Sequence, residues 1–446
     1  MAPPNWPQVI VEGGFVTTTP VQASPVLILD DAVNGKLNTG VLGGDVTWSD
    51  ITAWTRSARI TRPADRQQGP IYDFGIGTAN VVLNNKDGRF DPANLSGPYA
   101  AAGVTELNPM VPLRIRAVWG GITYPLYWGF VDSWDDDGVN YAGNYAETTA
   151  ACSDAQKVLA GNQVREDGAT AGAGELTGAR INRILDAVPW YTGTLYRVVG
   201  AGSSTVQAFG GQSSGTSDSA WNLLKLTADS EIGELYVNGA GAVVFRGRQQ
   251  ILTDTRSNTP QLVLGDSIGT AETAGTEQAF FQAPRARDDT TLANDIHAMR
   301  AGGSLQEVQD AASQAKYLFP RTFERTDLIL QDDPTVINWA QWVLYIAKDG
   351  EDRFDTIILK PLRDPVNLWS QVLGREIGDR IQIWRRPPGV AAFSKDLFIR
   401  GIEHSFDVAS GDWTTIWTMQ DADKYGGFLT LDNPTLGRLN FNALAF

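Results

Sequence analysis

Two distant stretches of this chain read alike, and that likeness limits the possible folds more than any other feature. Residues 126–135 are LYWGFVDSWD and residues 397–407 are LFIRGIEHSFD. Setting Gly129 on Gly401 pairs Phe130 with Ile402, Asp132 with His404, Ser133 with Ser405, Trp134 with Phe406 and Asp135 with Asp407. Upstream, Leu113-Arg-Ile-Arg116 matches Arg380-Ile-Gln-Ile383; downstream, Ser153-Asp-Ala-Gln-Lys157 matches Gln420-Asp-Ala-Asp-Lys424. Any two amphipathic hairpins alternate in this way. Three matched blocks in the same order nevertheless point to a duplicated β-barrel flanking a central region that carries helices. A trimer of such a chain would present six similar units in a ring, which lets a threefold object meet a sixfold one.

The pattern between the copies is mixed. Val26–Leu29 followed by Asn34-Gly35 predicts a strand and hairpin turn, and 51–62, 78–83, 113–119 and 127–134 predict further strands. Asp135-Asp-Asp-Gly138 closes that run as a turn. Ile181, Ile184, Leu185 and Val188 have helical spacing, as do Trp221, Leu224 and Ala228. A hairpin is predicted from Leu235–Val237 through Asn238-Gly239 to Val243–Phe245. Short strands are expected over 250–300, and Ser304-Leu-Gln-Glu307 fits a helix-starting capping box. Asp333 and Pro334 open a helix whose stripe is Trp339, Trp342, Val343 and Ile346. Residues 354–359 form a strand, and the last 80 or so residues return to a β pattern.

Charge narrows the function. The net charge is −15, which disfavours a surface built to grip phosphates, although like charge lining a channel would let DNA slide past. The single cysteine, Cys152, rules out an intrachain disulfide and reads as a small buried hydrophobe. No run reaches the ~18 apolar residues of a membrane helix. The start, Met1-Ala-Pro-Pro-Asn-Trp, lacks the pattern of a signal peptide, so assembly in a cytoplasm is expected.

Candidate chemistry is thin. Gly211-Gln-Ser-Ser-Gly215 matches a nucleophile elbow around Ser213, but it lies in a polar Gly/Ser stretch that reads as a linker. The only histidines are His297 and His404, the second facing Asp132 in the repeat. Asp135–Gly138 and Asn84–Gly88 fail the calcium-loop spacing, the first at Asn144 and the second at Leu83. Loose calcium binding by carboxylates from separate loops stays open. Gly75-Ile-Gly77 lacks a third glycine, so no dinucleotide site is expected. The expectation is therefore no enzyme: no catalytic residues, no cofactor and no metal site. The Trp-rich strands read as core or subunit packing before they read as a glycan platform.

Several blocks resemble a known family. Tyr72-Asp-Phe-Gly-Ile-Gly-Thr-Ala-Asn-Val-Val-Leu-Asn-Asn-Lys-Asp-Gly-Arg-Phe-Asp-Pro92 is similar to the first-barrel signature of minor tail proteins from siphophages of actinobacteria, as are Val111–Gly120 and Gly129–Asp132. Ala220–Leu224, Gly233–Gly239 and Val244–Arg246 resemble the middle of tail-tip (baseplate) hubs. Glu376-Ile-Gly-Asp-Arg-Ile381, Ile399–Ser405 and Trp413–Thr415 resemble their second tube barrel, and Thr435–Gly437 through Ala443–Phe446 their ending. These blocks span roughly residues 50 to 446.

The resemblance implies a mainly β (α+β) fold with two related tube-type β-barrel domains flanking central α/β domains. The expected division is an N-terminal arm (1–25), a first barrel (26–155), an α/β middle domain (156–250), a second middle domain of mixed strands and helices (251–365), a second barrel (366–425) and a C-terminal extension (426–446). It implies a virion protein of the tail tip, a homotrimeric hub joining the sixfold tube to the threefold tip and forming part of the genome-ejection channel. Its partners would be further copies of itself, the distal tail protein, the tape measure protein and other minor tail or tip proteins. DNA would be met only in passage, without membrane insertion. The alternatives are a hexameric distal tail protein, a receptor- or glycan-binding tail adhesin, and a wall hydrolase built on Ser213.

Overall fold

The computed structural model describes residues 5–15, 48–65, 70–101, 103–136, 146–165, 171–188, 190, 196–209, 217–266, 277–287, 289–350 and 352–425. The chain is mainly β with helices, and it divides into two compact units. The first comprises 1–60, 78–154 and 404–413; the second comprises 61–77, 155–403 and 414–446. Expectations for Val26–Leu29, Asn34-Gly35 and the C-terminal extension lie outside the described residues.

In the first unit, strands Pro112–Trp119, Ile122–Asp136 and Glu147–Ser153 form an antiparallel meander, and Thr78–Asn84 pairs with the last of them. Strict alternation explains the sheet. Leu113, Ile115 and Ala117 are buried while Arg114 and Arg116 are not, the pattern of a strand with one face on a core. Pro125, which has no N–H to give a ladder, sits where the register shifts between Pro125 and Tyr127. The stretch read as an arm carries a strand, Gln8–Gly13, which lies antiparallel on Pro112–Trp119 with Val11 opposite Ile115. Glu12 is then placed to take both Arg114 and Arg116, each at 2.7 Å.

The second unit holds the helices. Thr177–Asp186 buries Ile181, Ile184 and Leu185; Ala220–Glu231 buries Leu224 and Ala228, its start capped by Ser219 Oγ on Asn222 N. The expected hairpin Glu234–Val237 with Val243–Arg246 forms, but its turn runs over residues 238–242 with Gly241 rather than Gly239 at positive φ, and Arg197–Val199 adds to it in parallel. A three-stranded sheet has Asp295–Arg300 at its centre, antiparallel to Gln306–Gln309 and parallel to Thr322–Leu328. Helix Asp333–Ala347 covers this sheet with Val336, Trp339, Trp342, Val343 and Ile346.

Three local expectations are corrected. The capping box at Ser304 starts no helix, because Val308 is drawn into a ladder opposite Ile296; the helix begins instead at Ala311, where Asp310 accepts from Ser313 N. The long helix is capped by Asp332, which accepts from Thr335 N at 2.9 Å, leaving Asp333 inside the first turn. Residues 365–374, read as the start of a β region, are a helix that buries Leu368, Trp369, Val372 and Leu373. Pro365 at its first position and this apolar spacing were the unused signals.

A second antiparallel meander, Arg380–Arg385, Phe393–Asp407 and Asp412–Asp421, follows that helix. Val263–Gly265 joins its first strand in parallel, and Thr356–Leu359 joins its last strand antiparallel.

Candidate functional site

The two meanders share order and proportion. Each has a central strand of 15 residues flanked by a shorter strand on each side. Each central strand buries six consecutive residues, 126–131 and 397–402, so both faces are covered there. Each third strand ends in a helical turn, Ala155–Gly161 after Ser153 and Asp423–Tyr425 after Asp421. The matched glycines sit inside the buried runs. A Cβ on Gly129 would lie 2.5 Å from Ser153 O, and one on Gly401 would lie 3.1 Å from both Ala64 N and Arg62 O. Neighbouring backbone blocks a side chain at Gly129 and crowds one at Gly401.

One strand match needs shifting. Leu113 and Ile115 face the first core, whereas Ile381 and Ile383 face the second. Leu113 is therefore not the counterpart of Arg380, because a slip of one residue moves every side chain to the other face.

The polar residues of the middle and late blocks converge in the second unit. Glu234, only 3% exposed, holds the Arg246 guanidinium at 3.0 Å and also pairs with Arg400. Arg246 goes on to Asp254 at 3.2 Å and Ser257 Oγ at 2.8 Å, and Arg400 Nε donates to Gln420 at 2.6 Å. The Glu376–Ile381 block supplies the other wall. Glu376 pairs with Arg62, Asp379 takes Arg256 at 2.7 Å, Arg380 reaches Asp396 at 2.6 Å, and Ile377 O accepts from Tyr236 OH at 3.1 Å. Gly378 has φ +85°, and a Cβ there would meet Arg246 and lie 2.9 Å from Glu234 Oε2. Glycine is required on both counts.

Electrostatics make this a clasp. Burial works to raise the Glu234 carboxyl, but Arg400 and Arg246 outweigh it and hold it below the usual carboxylate range. Burial likewise works to lower the Arg400 guanidinium, and Glu234 more than offsets it. Lys395 repeats the balance near the strand ends, where Asp421 at 2.6 Å and Asp423 at 2.8 Å overcome its desolvation. Sequence reading passed over Glu234, Arg246 and Arg400 as site residues. The available signal was a charge embedded in an apolar run, as in VVFR and LFIRGI.

The residues weighed for chemistry are scattered. Gly211–Gly215, with Ser213, and Gly138 lie outside the described residues. His297 Nε2 is 3.3 Å from Asp295, and His404, 2% exposed, meets the Trp413 edge at 5.9 Å. Asn84–Gly88 is a self-bonded loop. Asn85 accepts from Phe90 N and donates to Thr148, while Asp87 takes Arg89. The loop inserts Phe90, fully buried, between Tyr99 at 5.4 Å and Trp134 at 6.2 Å. Cys152 is buried. Among the described residues, no group of three or more His, Cys, Asp or Glu is placed to hold a metal ion. A cleft of about 390 Å³ beside Tyr72 and Phe323 holds two ion pairs, Lys225 with Asp73 at 2.5 Å and Arg325 with Asp229 at 2.8 Å, and is also lined by Glu324.

No family model matches this sequence, and no curated protein does. Solved structures do match. The tail protein from Neisseria meningitidis MC58 is similar with a TM-score of 0.55 at 12% identity, over 85% of this chain and 96% of that one. The 43 kDa tail protein of prophage MuSo2 from Shewanella oneidensis is similar with a TM-score of 0.50 at 12% identity, over 94% and 98%. The chain therefore has the fold of phage tail proteins.

Proposed function

We propose that this chain is a structural protein of a phage-type tail, a trimeric hub at the tip that joins a sixfold tube to a threefold end. The observation that carries the reading is the pair of matched meanders in one chain, each with its 15-residue central strand and buried glycine. Three copies would supply six equivalent elements, the number needed to continue a sixfold ring. The likeness of nearly the whole chain to tail proteins supports the same reading. The origin in an actinobacterial siphophage rests on the sequence blocks alone.

On this reading the protein is not an enzyme. The buried charges of the clasp neutralise one another and hold the middle hairpin against the second meander. The partners are copies of the chain, the distal tail protein, the tape measure and other tip proteins, and DNA passes only through the lumen. The acidic surplus would lie partly on that lumen, where repulsion keeps DNA sliding.

Copy number in the assembled tail tests the proposal. Electron microscopy of purified tails with the symmetry left free should give three copies at the tip. Six copies would assign the chain to the distal ring instead, and one copy would remove the symmetry argument.

A further inference from the structure

A cation pair in the second unit, half-buried Lys360 and exposed Arg363, has no carboxylate partner among the described residues, unlike its neighbours. Phe281 N donates to Ile358 O, and Ile358 N donates to Gln282 O, each at 2.8 Å. This bridge sets the Phe281 ring beside the outward face of strand Thr356–Leu359, where burial alternates and Ile358 and Lys360 face out. The chain then turns through Pro361–Arg363, with Arg363 N donating to Lys360 O at 3.0 Å. In a turn of this tightness, side chains three apart eclipse one another. Lys360 and Arg363 consequently lie over the same ring, at 5.1 and 4.6 Å from its centroid.

Neither cation forms an ion pair with a described carboxylate. The contrast is local. Arg285 lies over Phe393 but also holds Asp352 at 2.6 Å, and Arg386 lies over Trp384 but also holds Glu277 at 2.6 Å. Phe281 is 43% exposed, and Val366, three residues past Arg363, is 80% exposed. Two like charges over one ring repel each other unless an anion bridges them.

We infer that Phe281, Lys360 and Arg363 form the docking site for an acidic segment of a neighbouring copy of this chain. This rests on the reading of the protein as an assembly of copies. Charge complementarity selects the occupant. Each chain carries −15, so two copies repel at long range and approach only where one offers unpaired cations. The chain's 51 acidic residues supply the matching charge. Phe281 and Val366 give that segment an apolar surface beside the cations.

Sedimentation equilibrium of the purified full chain over a range of concentration and salt tests this. Lys360→Glu with Arg363→Glu should raise the self-dissociation constant at least ~10-fold and remove its salt dependence. Phe281→Ser should weaken assembly less, and Lys360→Arg with Arg363→Lys should preserve it, with unchanged melting curves as the control for folding. Unchanged assembly of the double charge reversal overturns the inference while leaving the hub reading to the copy number in tails. A native chain that stays monomeric at every concentration also overturns it. So does a thymidine oligonucleotide bound through Lys360 and Arg363 with assembly unaffected.

Discussion

Glu234 and Arg400 stand 166 positions apart in sequence, yet they form an ion pair in which each side chain is 4% exposed. The pair ties the middle hairpin to the central strand of the second meander. Because Arg246 shares the same carboxylate, Glu234 bridges two buried guanidiniums.

Removing Glu234 leaves the buried Arg400 guanidinium without this anion and Arg246 with Asp254 alone. Glu234→Gln should cost about 3–5 kcal/mol of unfolding free energy, while Arg400→Met should cost less because Arg246 remains on the carboxylate. Urea denaturation of both variants checks the order, and an equal loss would contradict the shared-anion geometry.

The same pair sets an acid limit. The Glu234 carboxyl is held below its ordinary value of 4.5 in the folded chain. Its contribution to stability is thus complete above that value and is lost as pH falls through the lower folded value. Thermal melts of the native chain and Glu234→Gln should differ most at neutral pH and converge in acid, as pH falls below 4.5 and through the lower folded value.

The repeat glycines should differ in sensitivity. A Cβ at Gly129 meets backbone oxygen at 2.5 Å, against 3.1 Å at Gly401. Gly129→Ala should therefore lie at the upper end of the ~1–3 kcal/mol typical of overpacking and Gly401→Ala at the lower end. Melting temperatures of the two variants give the comparison.

The helix cap at Asp332 is separable from its neighbour. Asp332→Ala removes the acceptor for Thr335 N and should cost ~0.5–2 kcal/mol. Asp333→Ala breaks a part-exposed pair with Arg300 at 2.7 Å and should cost under ~1 kcal/mol. Chemical denaturation distinguishes them, and a larger loss at Asp333 would return the cap to that residue.

Much of the local structure was legible in the chain because it depends on near neighbours. Ile181, Ile184 and Leu185 mark a helix, Asn238-Gly239 marks a hairpin, and the alternation in 112–119 marks a strand. The likeness of the two meanders was legible for the same reason, as a similar local pattern around Gly129 and Gly401. Where a distant strand competes with a local signal, the sequence misleads. Ser304 carries a helix start, yet Val308 is drawn into a ladder by Ile296. The phase of the repeat also needed the fold, since only burial tells which of Arg380 and Ile381 faces inward. The clasp is the extreme case. Arg246 and Arg400 stand out only as charges inside apolar runs, and Arg62, Glu234 and Glu376 look unremarkable in their own segments. Their partners are set by packing across the fold, and an ion pair formed between distant segments leaves no periodicity in either of them.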